Sequence, residues 1–199
     1  MKLVKGRYLL AIGAVVLVAA GCGGSTEGEA QPVGSTGVTS PTGGTSAAEG
    51  GIAADVPSGF DPCVDIPEDV LASEGLRNRS TSNNSGSNGI KWQGCRWSQP
   101  DAYSTTISVT NITVDMVRDN KNRTVRDEYT IAGREAIASH VSDESEPTSV
   151  CTLHVAMKGG SIEFGLNNPA SNRQTGHIDT CQLARGLAEK VVPLIPADA

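Results

Sequence analysis

The sequence contains five cysteines, and the first of them, Cys22, has a chemical setting of its own. It directly follows three small residues, Ala19, Ala20 and Gly21. This arrangement resembles the lipobox of bacterial lipoproteins, although the leucine usually found three positions before the cysteine is Ala19 here. At such a site the thiol receives a diacylglycerol, and cleavage makes the cysteine the first residue of the mature chain. We therefore expect Cys22 to be a lipid attachment site that carries acyl chains such as palmitate.

The residues before Cys22 predict a secretory signal peptide over residues 1–21. Residues 2–7 include two lysines and an arginine, and residues 9–20 form an apolar run without a charge. The run is shorter than the roughly 20 apolar residues of a transmembrane helix, which argues against an uncleaved spanning anchor. Two acyl chains suffice for stable anchoring. We expect the mature chain to be held by its lipid at the extracytoplasmic face of the cell membrane.

The composition of residues 22–59 predicts the lipidated cysteine followed by a flexible linker. Gly, Ser, Thr and Pro supply 23 of the 37 positions from 23 to 59, and no aromatic residue occurs there. Such a segment cannot bury enough apolar surface to offset the entropy lost on ordering. As a flexible coil it would span roughly 30–37 Å. Residues 60–199 are long enough for one modest core, and we expect a single domain there.

The charge balance excludes some classes of partner. Residues 1–21 hold three of the 16 lysines and arginines and none of the 22 acidic residues, so the remainder has a net charge of −9. Nucleic acid binding needs a basic surface, and so does electrostatic attachment to anionic lipids. We therefore expect no nucleic acid partner.

The remaining four cysteines are Cys63, Cys95, Cys151 and Cys181. An even number in an exported domain indicates two disulfides, and four cysteines allow three pairings. In each half, one cysteine lies at an expected helix start and one on an expected strand, at similar separations, which favours Cys63–Cys95 and Cys151–Cys181. The alternative is a reactive thiol or a metal-bound pair. No C-x-x-C motif occurs and the histidines lack metal spacing relative to the cysteines, so we expect no metal and no cofactor.

Periodicity and turn signals predict an α+β domain, in which an antiparallel sheet packs against N- and C-terminal helices. A helix capped by Asp65 should end at Gly75, and a helix capped by Asp179 should close the domain. Residues 77–89 should form an exposed, mobile polar loop. A short helix is expected over 115–122. Strands are expected over 91–98, over 103–114 with a bulge near Asn111, over 128–141 with a break at Gly133, and over 150–157 and 162–166 around a turn at Gly159.

Several of these motifs together resemble a known family. They are Asp61-Pro62-Cys63, Gly94-Cys95-Arg96-Trp97, Cys151 on a late strand and Cys181 at the start of the last helix. The pattern is similar to that of actinobacterial cell-envelope lipoproteins classed as a domain of unknown function, and it covers residues 60–196. The resemblance implies an envelope lipoprotein with a two-disulfide α+β domain. It implies no reaction, ligand or catalytic residue.

The candidates for catalysis are weak. His140, His154 and His177 are scattered through the chain, and His154 is expected on the solvated face of its strand. No Gly-x-Ser-x-Gly motif marks a nucleophile, although a Ser–His–acid triad assembled across the fold is the enzymatic alternative. The sequence favours a protein that is not an enzyme and has no catalytic residues.

The candidate binding surface consists of Trp92, Arg96 and Arg77. Alternatively, Trp97 packs beside a disulfide and Trp92 covers the edge of the sheet. We expect the domain to bind an envelope protein or the cell wall. The alternative is a carrier or sensor of a small apolar ligand held between the sheet and the helices, which predicts an apolar cavity beneath the last helix.

Overall fold

The structure is a computed structural model that describes residues 51–199, so Cys22 and the predicted signal peptide lie outside the described residues. Within residues 51–199, eight strands form one antiparallel sheet, and three α-helices accompany it. The antiparallel sheet with a C-terminal helix confirms the expected α+β class. The helices are α1 (Glu68–Ser73), α2 (Val114–Asp119) and α3 (Thr180–Val191). The strands are β1 (Arg77–Thr81), β2 (Asn84–Ser85), β3 (Lys91–Ser98), β4 (Ser104–Thr110), β5 (Arg123–Ile131), β6 (Arg134–Val141), β7 (Val150–Met157) and β8 (Gly160–Asn167).

The strand order is β1-β3-β4-β8-β7-β6-β5, and β2 also pairs with β3. Consecutive strands form the hairpins β3–β4, β5–β6 and β7–β8, whereas β4 pairs with the distant β8. The β7–β8 turn contains Gly159 at φ +83°, and the β5–β6 turn contains Ala132 and Gly133 at φ +48° and +79°. Positive φ at these positions suits tight hairpin turns. The order places β4, β8 and β7 at the centre of the sheet.

One side of the sheet, which we call the first face, carries the main hydrophobic core. Leu153 and Val155 of β7 and Phe164 of β8 are fully buried there, as the period-two alternation predicts. Helix α3 packs on these strands, and its start is capped because the Asp179 carboxylate accepts from the Cys181 N–H at 2.9 Å. Six residues of α3 are buried, and four of them, Ala184, Leu187, Ala188 and Val191, form its apolar contact with the core.

Two disulfides join the first face to the chain that covers it. Cys151 of β7 pairs with Cys181 in the first turn of α3, with a Cα–Cα distance of 5.1 Å. Cys63, in a turn that precedes α1, pairs with Cys95 of β3 at 5.3 Å. These are the pairings expected from the sequence. The loops that they close span 30 and 32 residues, and both bridges lie against the main core.

The start of α1 differs from the prediction. The residue before the helix is Pro67, and no side chain caps the first turn. Asp65 instead accepts from the Asp61 N–H at 2.7 Å and closes the preceding turn. The predicted cap was therefore wrong, although the chain does leave the helix at Gly75, where φ is +64°. Helix α1 contributes Leu71 to the core.

The polar segment 77–89 was expected to be a loop, but it contains β1 and β2. Both strands are exposed at every residue, so no apolar alternation marks them in the sequence. Their main-chain groups pair with β3 instead. Exposure was predicted correctly, whereas the absence of regular structure was not.

The bulge expected near Asn111 is also absent from the described chain. Strand β4 ends at Thr110, and Thr113 caps α2 by accepting from the Met116 N–H at 3.2 Å. Asn111 itself is fully buried and tethers three segments, because it accepts from Lys91 N–H and donates to the carbonyls of Ala53 and Gly89. The change in hydrophobic phase therefore marks a strand-to-helix transition.

The sequence predicts that the domain starts at Phe60, but residues before Phe60 already contact the sheet. Asp55 forms an ion pair with Lys91 at 2.8 Å, and Pro57 is buried. Together with the bond from Asn111 to Ala53, these contacts attach residues 53–57 to the domain.

Candidate functional site

The opposite side of the sheet, which we call the second face, is lined mainly by polar residues. The strand register places Ser108 of β4, Glu163 of β8 and His154 of β7 in one row across the sheet. Thr110 and Ser161 form part of the next row, and both are fully buried. Buried polar groups need hydrogen-bond partners, so this face is a better candidate for a functional site than the apolar first face.

Helix α2 covers one part of the second face. Val114 and Val117 pack with Ile137 of β6 in a small separate core. Arg118 lies at the outer side of the helix and forms ion pairs with Glu135 and Glu128, the latter at 3.1 Å. These contacts fix α2 over strands β5 to β7.

His154 lies beneath α2 and is only 2% exposed, so the predicted solvated position was wrong. The side chain does point away from Cys151 and Leu153, as expected, but α2 buries that face here. Its Nδ1 is 3.0 Å from Ser161 Oγ, and the Ser161 hydroxyl donates to the carbonyl of Ile112 at 2.6 Å. Since the single hydroxyl proton is used on this carbonyl, the neutral imidazole donates its Nδ1–H to Ser161.

The electrostatic surroundings keep His154 neutral. Burial and, to a smaller extent, nearby Arg123 lower its pKa to about 4, against the opposing effect of the Glu163 carboxylate. Glu163 Oε2 lies 3.5 Å from His154 Nε2 and accepts a hydrogen bond from the Trp92 indole N–H at 2.9 Å. Trp92 is thus oriented by a carboxylate of β8.

Ser161, His154 and Glu163 have the residue types of a catalytic triad, but their geometry differs from one. A nucleophilic serine must give its proton to the histidine and present its oxygen to a substrate. Ser161 is fully buried and donates to a main-chain carbonyl. The hydrogen bonds of this cluster therefore connect β7 and β8 to the residues that precede α2.

A cleft of about 310 Å³ opens beside this cluster, and we call it the α2 cleft. This volume is at the lower end of the range for small-molecule sites. Its lining is more apolar than polar, with side chains from α2, from the start of β3 and from the sheet. The residues are Ile90, Trp92, Ile112, Met116, Val117, Asn120, Arg123, Thr152, His154 and Glu163.

Arg123 carries the one unusual polar group of this cleft. Its Nε donates to Ser139 Oγ at 2.9 Å, but its Nη2 is buried and has no hydrogen-bond partner in the described structure. Burial lowers the pKa of the guanidinium, although the Glu163 carboxylate acts in the opposite direction. An arginine N–H in such a position is a donor without an acceptor.

Ser108 and Thr110 of β4 are also buried, but the part of the second face around Gly165 is uncovered. We call this part the open face, and its floor is formed by hydroxyl and amide side chains around Gly165. A shallow groove of about 200 Å³ crosses it. Thr152 lines both this groove and the α2 cleft. The second-face residues of the groove are Arg96, Ser104, Thr106, Val150, Thr152, Gly165 and Asn167.

The three residues of the candidate binding surface lie in different places. Trp92 lines the α2 cleft, and Arg96 is exposed beside the open face. Arg77 of β1 lines a separate depression near α1 together with Trp97. Trp97 is buried in the main core with the cysteines of both disulfides, as the structural alternative stated.

Sequence reasoning missed the α2 cleft. The small-ligand alternative predicted a cavity beneath α3, where Ala184, Leu187 and Val191 are fully buried against the main core. The apolar cleft lies beneath α2 instead. The β7–β8 hairpin pairs His154 with Glu163 locally, but Arg123 and Trp92 come from distant parts of the chain and join them only through the fold. The polar residues at alternate positions of β4, β7 and β8 were the available signal.

The described residues contain neither a candidate metal site nor a candidate membrane-spanning helix. No group of three or more His, Cys, Asp or Glu side chains could hold a metal ion within residues 51–199. None of the helices described there is long and apolar enough to cross a membrane.

These features define the class of protein as an α+β domain with one antiparallel sheet and two disulfides that flank its core. The chain belongs to the family described as protein of unknown function DUF3558, whose profile matches residues 17–194. Neither the curated proteins nor the solved structures give a significant match to this chain.

Proposed function

We propose that the protein is an extracytoplasmic lipoprotein, anchored by an acylated Cys22, whose domain is a non-enzymatic binding module. The signal-peptide pattern, the small residues before Cys22 and the linker composition support this address. The two disulfides fit it, because such bonds persist in oxidising compartments. The resemblance of the cysteine and Gly-Cys-x-Trp motifs to actinobacterial envelope lipoproteins supports the same assignment.

Metabolic labelling tests the anchor. The chain would be produced with an alkyne-bearing palmitate analogue in a bacterium that processes lipoproteins, together with the Cys22→Ser variant. We expect label only in the unsubstituted chain, and an N-terminal peptide that begins at acylated Cys22. An unlabelled chain that retains Met1 would refute the proposal.

The open face is the observation that carries the binding role. It is an uncovered area of sheet with a floor of hydroxyl side chains, such as Thr106 and Thr152, and with Arg96 at its side. Hydroxyl, amide and guanidinium groups can donate to the carbonyls of a protein chain or to the oxygens of a cell-wall glycan. We infer that an envelope protein or a cell-wall polymer lies across this face.

Site-specific crosslinking in cells tests this role. A photoreactive residue would replace Arg96 on the open face or, as a control, Gln182 on the exposed side of α3. We expect a crosslinked envelope protein or wall fragment from position 96 alone, and its loss when Thr106 is also changed to Lys. Equal crosslinking from both positions would contradict the assignment of this face.

A small apolar ligand is the second candidate, and the α2 cleft is the observation that favours it. Native mass spectrometry of the mature chain, followed by solvent extraction, would detect such a ligand. A stoichiometric adduct that disappears in Met116→Trp, which narrows the cleft from its rim, would support this candidate. An adduct unaffected by that substitution would place the ligand elsewhere.

A further inference from the structure

The α2 cleft contains features that specify a ligand class more closely than its size does. We propose that the cleft binds a small apolar molecule with a single carboxylate, held by the guanidinium of Arg123. This inference rests on the small-ligand candidate above and adds the chemistry of the ligand to it.

The unpartnered nitrogen of Arg123 carries the argument. The hydrogen bond from Arg123 Nε to Ser139 Oγ, at 2.9 Å, orients the side chain. The guanidinium is therefore held in place before any ligand binds. Arg123 lines the cleft, and its Nη2 is buried without an acceptor in the described structure. A carboxylate matches the planar fork of an arginine and would supply the missing acceptor through a charge-assisted hydrogen bond.

The walls of the cleft define the rest of the ligand. Val117 and Met116 of α2 contribute apolar side chains to these walls, and so do Ile90 and Trp92. The indole of Trp92 is oriented by its bond to Glu163, so its ring is also preset. An alkyl or aromatic group can be buried between these walls once the carboxylate meets Arg123.

Glu163 limits the negative charge that a ligand in this cleft can carry. Its carboxylate lies on the floor of the same cleft and already accepts from Trp92. A phosphate dianion would bring two charges close to this carboxylate, and like charges at short distance repel strongly where water is partly excluded. Glu163 also repels a monoanion, but the guanidinium of Arg123 offsets a single negative charge, so a monoanion fits better than a dianion.

Isothermal titration calorimetry with matched ligands tests the proposal. The mature lipidated chain in phosphatidylcholine nanodiscs would be titrated with octanoate, octanol and octyl phosphate, with empty nanodiscs as the reference. We expect octanoate to bind at least about tenfold more tightly than the other two, the size of effect expected for one charge-assisted hydrogen bond. Arg123→Met should remove this preference, while Lys121→Met, an exposed neighbouring charge, should not.

Two further variants keep the test decisive if Arg123→Met folds poorly. Arg123→Lys keeps the charge but loses the fork and should weaken octanoate binding, whereas Met116→Trp at the exposed rim should abolish binding of both octanoate and octanol. Equal affinity for octanoate and octanol in the unsubstituted chain would overturn the carboxylate inference but leave the small-ligand candidate intact. Binding of neither ligand would overturn both, without affecting the proposed lipid anchor.

Discussion

Acidification should destabilise the domain through His154, because this side chain is buried in its neutral form. Its pKa falls from 6.5 to about 4 in the folded protein. Between these values the unfolded chain binds a proton that the folded chain does not, so the free energy of unfolding decreases as the pH falls. A difference of about 2.5 pKa units at 1.36 kcal/mol per unit corresponds to roughly 3 kcal/mol. The full stability is present above pH 6.5 and this part is lost by pH 4.

Urea denaturation at pH 7, 6, 5 and 4 would measure this loss in the unsubstituted chain and in His154→Gln. Other carboxylates also titrate in this range, so the informative quantity is the difference between the two proteins. We expect the unsubstituted chain to lose about 3 kcal/mol more than His154→Gln on going from pH 7 to 4. His177→Gln is the matched control, because His177 is exposed, and it should behave like the unsubstituted chain. Parallel losses in all three proteins would refute the reasoning.

Three further substitutions test the packing of the domain by urea denaturation. Asp179→Ala removes the cap of α3 and the ion pair with Arg126 at 2.8 Å, and should cost about 2 kcal/mol, whereas Asp198→Ala at the exposed C-terminus should cost nothing measurable. Gly94→Ala places a Cβ only 2.1 Å from a main-chain oxygen of β4 and should cost about 2 kcal/mol, whereas Gly186→Ala in α3 meets no atom within 4 Å and should stabilise the protein by about 0.5–1 kcal/mol. Replacing both cysteines of the Cys151–Cys181 bridge with alanine reopens a 30-residue loop and should cost about 3–4 kcal/mol. Equal effects within the aspartate or glycine pair, or no loss without the disulfide, would contradict these assignments.

The parts of the fold that the sequence predicted are those in which local pattern and tertiary environment agree. The β7–β8 hairpin has strict apolar alternation and Gly159 in its turn, and both signals are local. Asp179 caps α3 by a contact two residues away in the chain. The cysteine pairs could be assigned because each joins neighbouring parts of the chain.

The parts that the sequence did not predict depend on contacts between distant residues. Strand β1 has only exposed side chains, so its pairing with β3 leaves no trace in hydrophobicity. His154 seemed solvated because alternation alone cannot show that α2 covers its face. The α2 cleft could not be predicted either, because Trp92 and Glu163 are 71 positions apart and meet only through the strand order.

The main core and the polar cluster around His154 lie on opposite faces of the sheet. Helix α3 and both disulfides lie on the first face, where Leu187 is fully buried in the main core. Substitutions on the second face therefore need not disturb the main core.

The most direct test of the account is protease accessibility of the full chain in spheroplasts. In the proposed location the domain lies outside the membrane, and the residues that follow Cys22 are rich in Gly, Ser and Thr and should be cut by a protease. Added protease should release a disulfide-bonded domain from intact spheroplasts, while a cytoplasmic marker protein stays uncut. A chain that is cut only after lysis would contradict the extracytoplasmic, membrane-anchored location.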